Sequence, residues 1–214
     1  MITLYEMPDS GNCYKVRLTL NQLEIPFQRK SVDISKGESR TEEYLALNPN
    51  GRVPLIVLDD GTPISESNAI ICYLARGSSL RPTDPIAEAQ MLSWMFFEQY
   101  SHEPYIATTR YWLHVLEDPE GYAARIEHNT PLCYAALGVM EKRLREANFL
   151  VGDEYSLADI ALYAYTHVAD EGGFDLEAYP AIRSWLDRVR DQPRYVPMER
   201  LDGAGHDVPG TTRS

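Results

Sequence analysis

Cysteine is scarce in this chain, and its scarcity excludes two kinds of small scaffold. The 214 residues include only Cys13, Cys72 and Cys133, an odd number at wide spacing. Disulfide frameworks and zinc sites need even numbers of cysteines or closely spaced pairs. We therefore expect neither disulfides nor a metal site, and a reducing cytoplasm is the location that suits free thiols best.

Long hydrophobic runs and an excess of positive charge are lacking as well. No stretch approaches the roughly 18 apolar residues of a membrane span, and the opening MITLYEMPDS lacks the basic and apolar regions of a secretory signal. Acidic residues number 32 against 20 lysines and arginines, which gives a formal net charge of −12. Because a surface of that sign repels nucleic acids and anionic membranes, we expect neither as a partner.

The first part of the chain has the alternating pattern of an α/β domain. A strand, a helix and a second strand form a βαβ unit, whose strands should be parallel with a right-handed crossover. Further on, the turn at Asp60-Gly61 separates two apolar runs and predicts a β-hairpin. The predicted elements are a strand over 2–5, a helix over 13–24, a strand over 27–34, a helical turn within 41–47, hairpin strands over 53–58 and 63–64, and a helix over 69–74.

The second part shows helical patterns and no convincing strand. Ser156 and Asp159 have the spacing of a capping box, which predicts a helix start. The predicted helices cover residues 87–116 with an interruption at Pro104, 120–146 with a bend at Pro131, 157–169, and 180–190. The predicted organisation is a domain over 1–78, a linker over 79–86, an all-helical domain over 87–200 and a tail over 201–214.

A first candidate site lies at the predicted strand-to-helix turn that contains Ser10. The free N–H groups and the dipole of a helix N-terminus attract anions, and a serine hydroxyl there can donate to a thiolate. Ser10 and Cys13 have a C-x-x-C-like spacing with serine in first place, so disulfide exchange through a cysteine pair is excluded. The simpler alternative is that Ser10 only caps the helix.

Two more candidate sites follow in the same domain. Val53-Pro54 enters an apolar strand, which predicts a cis bond or a free edge that can pair with an extended peptide, or else a plain edge-strand proline. Glu66-Ser67 precedes a helix and can bind an α-amino-carboxylate, or else it only caps that helix. The loop cations Arg40, Arg52 and Lys36 can hold a second carboxylate or remain solvated.

These signals share one order and spacing, and the chain resembles the cytosolic glutathione S-transferases over nearly its whole length. The matching stretches are SGNCYKVRLTL (10–20), NPNGRVPLIVLDDG (48–61), ISESNAI (64–70) and YSLADIALYAY (155–165). The chain is most similar to bacterial theta-like or nu-like members of the serine type. The resemblance implies an α/β thioredoxin-like N-terminal domain followed by an all-α C-terminal domain, as a cytoplasmic homodimer.

The resemblance also implies roles for single residues. Ser10, and Asn12 beside it, would stabilise the thiolate of glutathione. Val53, before a cis-Pro54, would pair its backbone with the cysteinyl part of glutathione. Glu66 and Ser67 would bind the γ-glutamyl end, and Arg40 and Arg52 fall where the glycyl carboxylate is usually bound. Many relatives carry histidine after Gly37-Glu38, whereas this chain has Ser39.

The implied function is detoxification, in which the glutathione thiolate is conjugated to a small hydrophobic electrophile. Candidates for the electrophile pocket are His102, Tyr105, Arg110 and Tyr111, although their spacing also fits core packing. Cys13 would support mixed disulfides only if it were exposed, and we expect it to be a buried packing residue. Two alternatives stay open, a glutathione-dependent peroxidase or disulfide reductase, and a non-catalytic transferase-like scaffold protein.

Overall fold

The structure is a computed structural model that describes residues 1–199, so the predicted tail over 201–214 lies outside the described residues. Its first part contains a mixed sheet. The strands are β1 (Ile2–Glu6), β2 (Phe27–Ser31), β3 (Leu55–Val57) and β4 (Pro63–Ser65), and the helices are α1 (Gly11–Gln22), α2 (Glu42–Leu47) and α3 (Ser67–Leu74). Two short 3₁₀ turns, Ile34–Lys36 and Glu38–Arg40, precede α2.

The four strands lie in the order β2-β1-β3-β4. β1 runs parallel to β2, with Ile2 opposite Phe27, and antiparallel to β3, with Leu4 opposite Ile56. The predicted βαβ unit, the hairpin and the thioredoxin-like arrangement are therefore confirmed. The second strand ends three residues earlier than predicted, because the Asp33 carboxylate accepts from Ser35 and Lys36 N–H and starts a 3₁₀ turn instead.

The second part is all helical. It contains α4 (Pro85–Phe97), α5 (Glu103–Arg110), α6 (Ala123–Leu144), α7 (Leu157–Thr166), a 3₁₀ turn at Ala169–Gly172, and α8 (Pro180–Arg190). Two π-helical segments, Glu98–His102 and Tyr111–Val115, flank α5. Within residues 1–199, no helix is both long enough and apolar enough to cross a membrane.

The helical pattern predicted over 87–116 is interrupted next to Pro104, as predicted. Pro104 has no N–H to donate and cannot continue the α-helical ladder. The backbone widens just before it, where the Glu103 N–H donates to the Glu98 carbonyl five residues back. Such π segments are frequent at functional sites. By contrast, α6 continues through Pro131, and α4 begins at Pro85, inside the predicted linker.

Helix α7 forms the centre of the core, and all ten of its residues are buried. It packs against α1 of the first domain and against α4. The predicted capping box is present, because the Asp159 carboxylate accepts from the Ser156 N–H at 3.0 Å. The same carboxylate accepts from Leu150 N–H and from Trp185 Nε1. Burial raises the pKa of Asp159 to about 6 despite these donors.

Candidate functional site

A cavity of about 450 Å³ lies between the two domains. Ser10, Asn12 and Val53 line it from the first domain. Its opposite wall comes from the helical domain and includes Glu103 and Tyr165. The strand-to-helix turn and the cis-proline loop, which are far apart in sequence, therefore meet in one cavity.

Ser10 stands at the N-terminus of α1 and caps it. Its backbone is extended, with φ −86° and ψ 123°, and its Oγ accepts from the Cys13 N–H at 3.4 Å. A hydroxyl that accepts through a lone pair keeps its own proton for donation. The cap and a hydrogen bond to a bound anion are therefore compatible at this residue.

The turn that carries Ser10 is fixed by Arg110. The buried Arg110 guanidinium donates to the Asp9 carbonyl at 2.9 Å, and it pairs with the Asp9 carboxylate and with Glu171. Although burial opposes the charge, the two carboxylates raise the pKa of Arg110. Arg110 lines the cavity as expected, but its guanidinium is engaged by the turn.

The Asp9 and Glu171 carboxylates also lie close to His114, with ligand atoms within 4.8 Å of one another. Such a set resembles a metal site in composition. However, both carboxylates already contact Arg110, at Nη2 and Nε respectively. A cation bound there would have to displace the guanidinium. These residues therefore form an ion-pair cluster.

Asn12 connects the cavity to the start of α3. Its Nδ2 donates to Glu103 Oε1 at 3.1 Å, and its Oδ1 accepts from Ser67 Oγ at 3.1 Å. Burial raises the pKa of Glu103. The Ser67 hydroxyl in turn accepts from Lys15 Nζ at 3.4 Å.

Lys15 forms a buried ion pair beneath this network. Its Nζ lies 2.8 Å from Glu98 Oε2, and neither side chain has any exposed surface. Glu98 Oε2 also accepts from the Asn68 and Gln99 side-chain amides. The first turn of α3 is thus tied to the π-helical segment of the helical domain.

The cis bond predicted at Val53-Pro54 is present. The alternative to the cis bond, a free sheet edge, does not apply to β3, which pairs with β1 on one side and with β4 on the other. Pro54 instead lies just before the paired segment, which begins at Leu55. Val53 is half-buried and borders the cavity.

Glu66 and Ser67 differ in their surroundings. Glu66 is exposed, has a positive φ of 69°, and makes no capping hydrogen bond with its side chain, so the helix-cap alternative fails for it. Ser67 is buried beside Asn12. A positive φ at a residue other than glycine is a form of strain that recurs at functional sites.

The three loop cations differ in whether they line the cavity. Arg40 and Arg52 are exposed and line the cavity, and Arg40 donates to the Asn50 carbonyl at 3.1 Å. Lys36 is paired with Asp33 at 2.9 Å and does not line the cavity. Of the three, the two arginines are the ones placed to meet a carboxylate in the cavity.

Two of the four candidates for the electrophile pocket do not line the cavity. His102 is fully buried, and its Nε2 is 2.9 Å from Thr166 Oγ1. Burial lowers the pKa of His102 to about 3, so its ring is neutral near pH 7. Tyr105 packs against the core. For these two residues the core-packing interpretation holds, whereas Tyr111 lines the cavity with Trp112.

Cys13 is buried, as predicted. The Met7 N–H donates to its Sγ at 3.4 Å, and burial raises the pKa of the thiol to about 12. A thiol in this state is neither accessible nor ionised near pH 7. Mixed-disulfide chemistry at Cys13 is therefore not supported.

The sequence interpretation missed Glu103, Trp112 and Tyr165. Tyr165 belongs to YSLADIALYAY (155–165), one of the stretches that carry the family resemblance, and the pattern of this stretch predicts only a core helix. Its contact with Asn12 spans 153 residues of sequence, and no local pattern reports such a pairing. Glu103 directly precedes Pro104, a helix breaker that could have drawn attention to this segment.

Comparison with known proteins gives consistent matches over both domains. The family model described as glutathione S-transferase, N-terminal domain, matches residues 9–76, and that of the C-terminal domain matches residues 94–193. A crystal structure of a glutathione S-transferase from Pseudomonas fluorescens Pf-5 is 51% identical with a TM-score of 0.91, over 94% of this chain and 99% of that one.

Two further matches bear on the chemistry. The disulfide-bond oxidoreductase YfcG of Escherichia coli K12 is 33% identical over 90% of this chain and 92% of its own length. A glutathione transferase homologue from Sulfitobacter, solved with bound glutathione, is 26% identical with a TM-score of 0.77, over 91% of this chain and 94% of that one.

Proposed function

Because this chain belongs to the glutathione S-transferase family, we propose that it conjugates the thiolate of glutathione to small hydrophobic electrophiles. The observation that carries the proposal is the position of Ser10. Its hydroxyl lies at the N-terminus of α1, inside a cavity that Val53 and Arg52 also line.

Glutathione would lie along the first-domain wall of this cavity. The backbone of Val53 would pair with the cysteinyl unit, and Arg40 and Arg52 would hold the glycyl carboxylate. The γ-glutamyl end would reach Glu66 and Ser67 at the start of α3. The bound thiol would then face Ser10 and Asn12.

The chemistry requires the thiol to ionise near neutral pH. A free thiol has a pKa of about 8.5, and lowering it by about two units needs about 2.7 kcal/mol of preference for the anion. A hydrogen bond from a hydroxyl to a charged group contributes about 1.5–3 kcal/mol, and a helix N-terminus contributes up to about 1 kcal/mol. Ser10 and α1 together supply effects of that size.

The reaction itself needs little else from the protein. The thiol proton leaves to solvent, the thiolate sulfur forms a bond to carbon of the electrophile, and the leaving group departs with its bonding electrons. The apolar wall that would hold the electrophile contains Ala107, Tyr111 and Trp112. Trp112 is itself supported by stacking on Tyr122, with ring centroids 4.9 Å apart.

Ser10→Ala tests the proposal directly. We expect the pKa of enzyme-bound glutathione, followed by thiolate ultraviolet absorbance, to rise by about one to two units, because a hydrogen bond to the anion is lost. Turnover with a conjugating electrophile at pH 7 should fall accordingly. The matched control is Ser184→Ala, at an exposed serine of α8. An unchanged thiol pKa and rate in Ser10→Ala would contradict the role of Ser10.

A second candidate is a glutathione-dependent disulfide reductase or peroxidase, and the name of the 33% identical disulfide-bond oxidoreductase favours the reductase. Here the glutathione thiolate would attack a disulfide, form a new S–S bond and release the other sulfur as a thiolate. A second glutathione would resolve the mixed disulfide. Turnover of disulfides or hydroperoxides without turnover of conjugating electrophiles would select this candidate.

We also propose that the protein is a cytoplasmic homodimer. The cytoplasmic location is supported by its three cysteines, which are all free thiols and suit a reducing compartment. Phe96, near the end of α4, and Tyr100, four residues later in the π-helical segment, are 72% and 83% exposed. Exposed aromatic side chains in one patch are typical of an interface.

Phe96→Arg is expected to convert the dimer to monomer in sedimentation velocity at micromolar protein. The introduced charge would be buried without a partner in the interface. Val139→Arg, at a 49% exposed apolar residue of α6, is the control and should stay dimeric. A wild-type protein that sediments as a monomer at all concentrations would contradict the proposal.

A further inference from the structure

We propose that Tyr165, from the helical domain, is a second catalytic hydroxyl that donates a hydrogen bond to the glutathione sulfur alongside Ser10. This inference rests on the proposed function, because it concerns the same thiolate. It assigns part of the thiol activation to the helical domain, which also supplies the electrophile wall and the Arg110 contacts with the turn before Ser10.

The position of the Tyr165 hydroxyl is the first support. Its oxygen accepts from the Asn12 N–H at 3.3 Å, and Tyr165 lines the same cavity as Ser10 and Asn12. That N–H is one of the first N–H groups of α1, which have no partner within the helix. The hydroxyl therefore lies at the positive end of α1, where a bound anion would lie.

The close packing of Tyr165 against Gly11 is the second support. A Cβ atom on Gly11 would come within 2.6 Å of the Tyr165 ring, a distance that real Cβ atoms do not tolerate. Any other residue at position 11 would therefore push the ring away. Glycine has no Cβ, and its presence at the start of α1 therefore admits the tyrosine ring.

The third support is that the hydroxyl proton is available. Tyr165 is only 6% exposed, and burial together with the nearby Glu103 raises the pKa of its hydroxyl. The group therefore stays protonated at neutral pH. Because its oxygen accepts from Asn12, its O–H can donate to a ligand in the cavity. Ser10 has the same arrangement, since its oxygen accepts from the Cys13 N–H.

Tyr165→Phe tests the inference, because it removes only the hydroxyl and keeps the ring against Gly11. We expect the pKa of bound glutathione to rise by about one unit, as for the loss of one hydrogen bond to an anion. The dissociation constant for glutathione should change little. The rate at pH 7 should fall about threefold, because the thiolate fraction falls by that factor when the thiol pKa rises from about 6.5 to about 7.5, and it should recover toward that of the wild type above the new thiol pKa.

Tyr163→Phe is the matched control. Tyr163 lies on the same helix two residues earlier, and its hydroxyl pairs with that of Tyr195 at 2.9 Å, away from the cavity. Tyr163→Phe should leave the pKa of the bound glutathione thiol unchanged. As a second test, meta-fluorotyrosine at position 165 makes the hydroxyl a stronger donor and should lower the thiol pKa, opposite to the effect of phenylalanine.

The outcomes separate the two proposals. A raised thiol pKa in Tyr165→Phe together with a lowered one in the fluorinated protein supports the inference. An unchanged thiol pKa in both proteins overturns it, while a raised value in Ser10→Ala leaves the transferase proposal intact. If wild-type protein binds glutathione without forming thiolate near pH 7, the shared activation mechanism fails, and both proposals with it.

Discussion

Replacing Arg110 with methionine is expected to lower the free energy of unfolding by about 3–5 kcal/mol. The Arg110 and Asp9 side chains are each only 3% exposed, so the substitution leaves the Asp9 carboxylate in a site with little access to water. A buried charge that loses its partner costs much more than the net contribution of the intact pair. Urea unfolding at pH 7 measures this difference.

The same substitution should disturb the reaction. Arg110 donates to the backbone carbonyl of Asp9, the residue before Ser10, and is therefore a positioning residue for the turn. We expect Arg110→Met to raise the pKa of bound glutathione, which a purely structural loss would not do. Arg110→Lys should restore part of the stability but less of the thiol pKa, because lysine lacks the planar fork that binds two acceptors at once.

Arg145→Met is the control for the Arg110 experiment. Arg145 pairs with Glu141 one helical turn away, but its side chain is 65% exposed. Exposed pairs of this kind contribute about 0.3–0.5 kcal/mol. If Arg110→Met lowered the free energy of unfolding no more than Arg145→Met does, the contacts of Arg110 with the turn would not contribute to stability.

Lys15→Met is the second substitution with a large expected effect. Lys15 and Glu98 are both fully buried, and methionine would leave the Glu98 carboxylate without a counter-charge, at a cost of about 3–5 kcal/mol. Lys15 Nζ also approaches Ser67 Oγ and Asn68 Oδ1. We therefore expect the KM for glutathione to rise in variants that still fold.

A double substitution provides the control for this prediction. Replacing Lys15 with methionine and Glu98 with leucine removes both charges and keeps apolar volume. Buried ion pairs replaced by apolar residues often leave stability unchanged or higher. Urea unfolding should thus place the double variant close to wild type. A double variant as unstable as Lys15→Met would show that the loss comes from packing.

Features set by local chemistry could be predicted from the sequence. The capping box at Ser156 and the helix from Pro180 to Arg190 follow from residue types near each end, and both are confirmed. The hairpin follows from its Asp-Gly turn and is confirmed as well. The π-helical segments were missed, because periodicity over 87–116 does not reveal how the backbone adapts to Pro104.

The candidate site could be predicted only in its first-domain half. Ser10, Asn12 and Val53 belong to motifs with fixed spacing, and the structure brings them to one cavity. The opposite wall depends on which face of each helix turns inward. That is why the sequence left both a pocket and a core position open for His102, which is buried, and why Tyr165 was overlooked.

Helix α7 is buried along all ten of its residues and carries Tyr165 into the cavity. Amide protons in such a helix exchange with solvent only when most of the molecule opens. The reacting end of the cavity is therefore held by the part of the molecule that opens last. The sulfur of bound glutathione would therefore meet a surface that is already rigid.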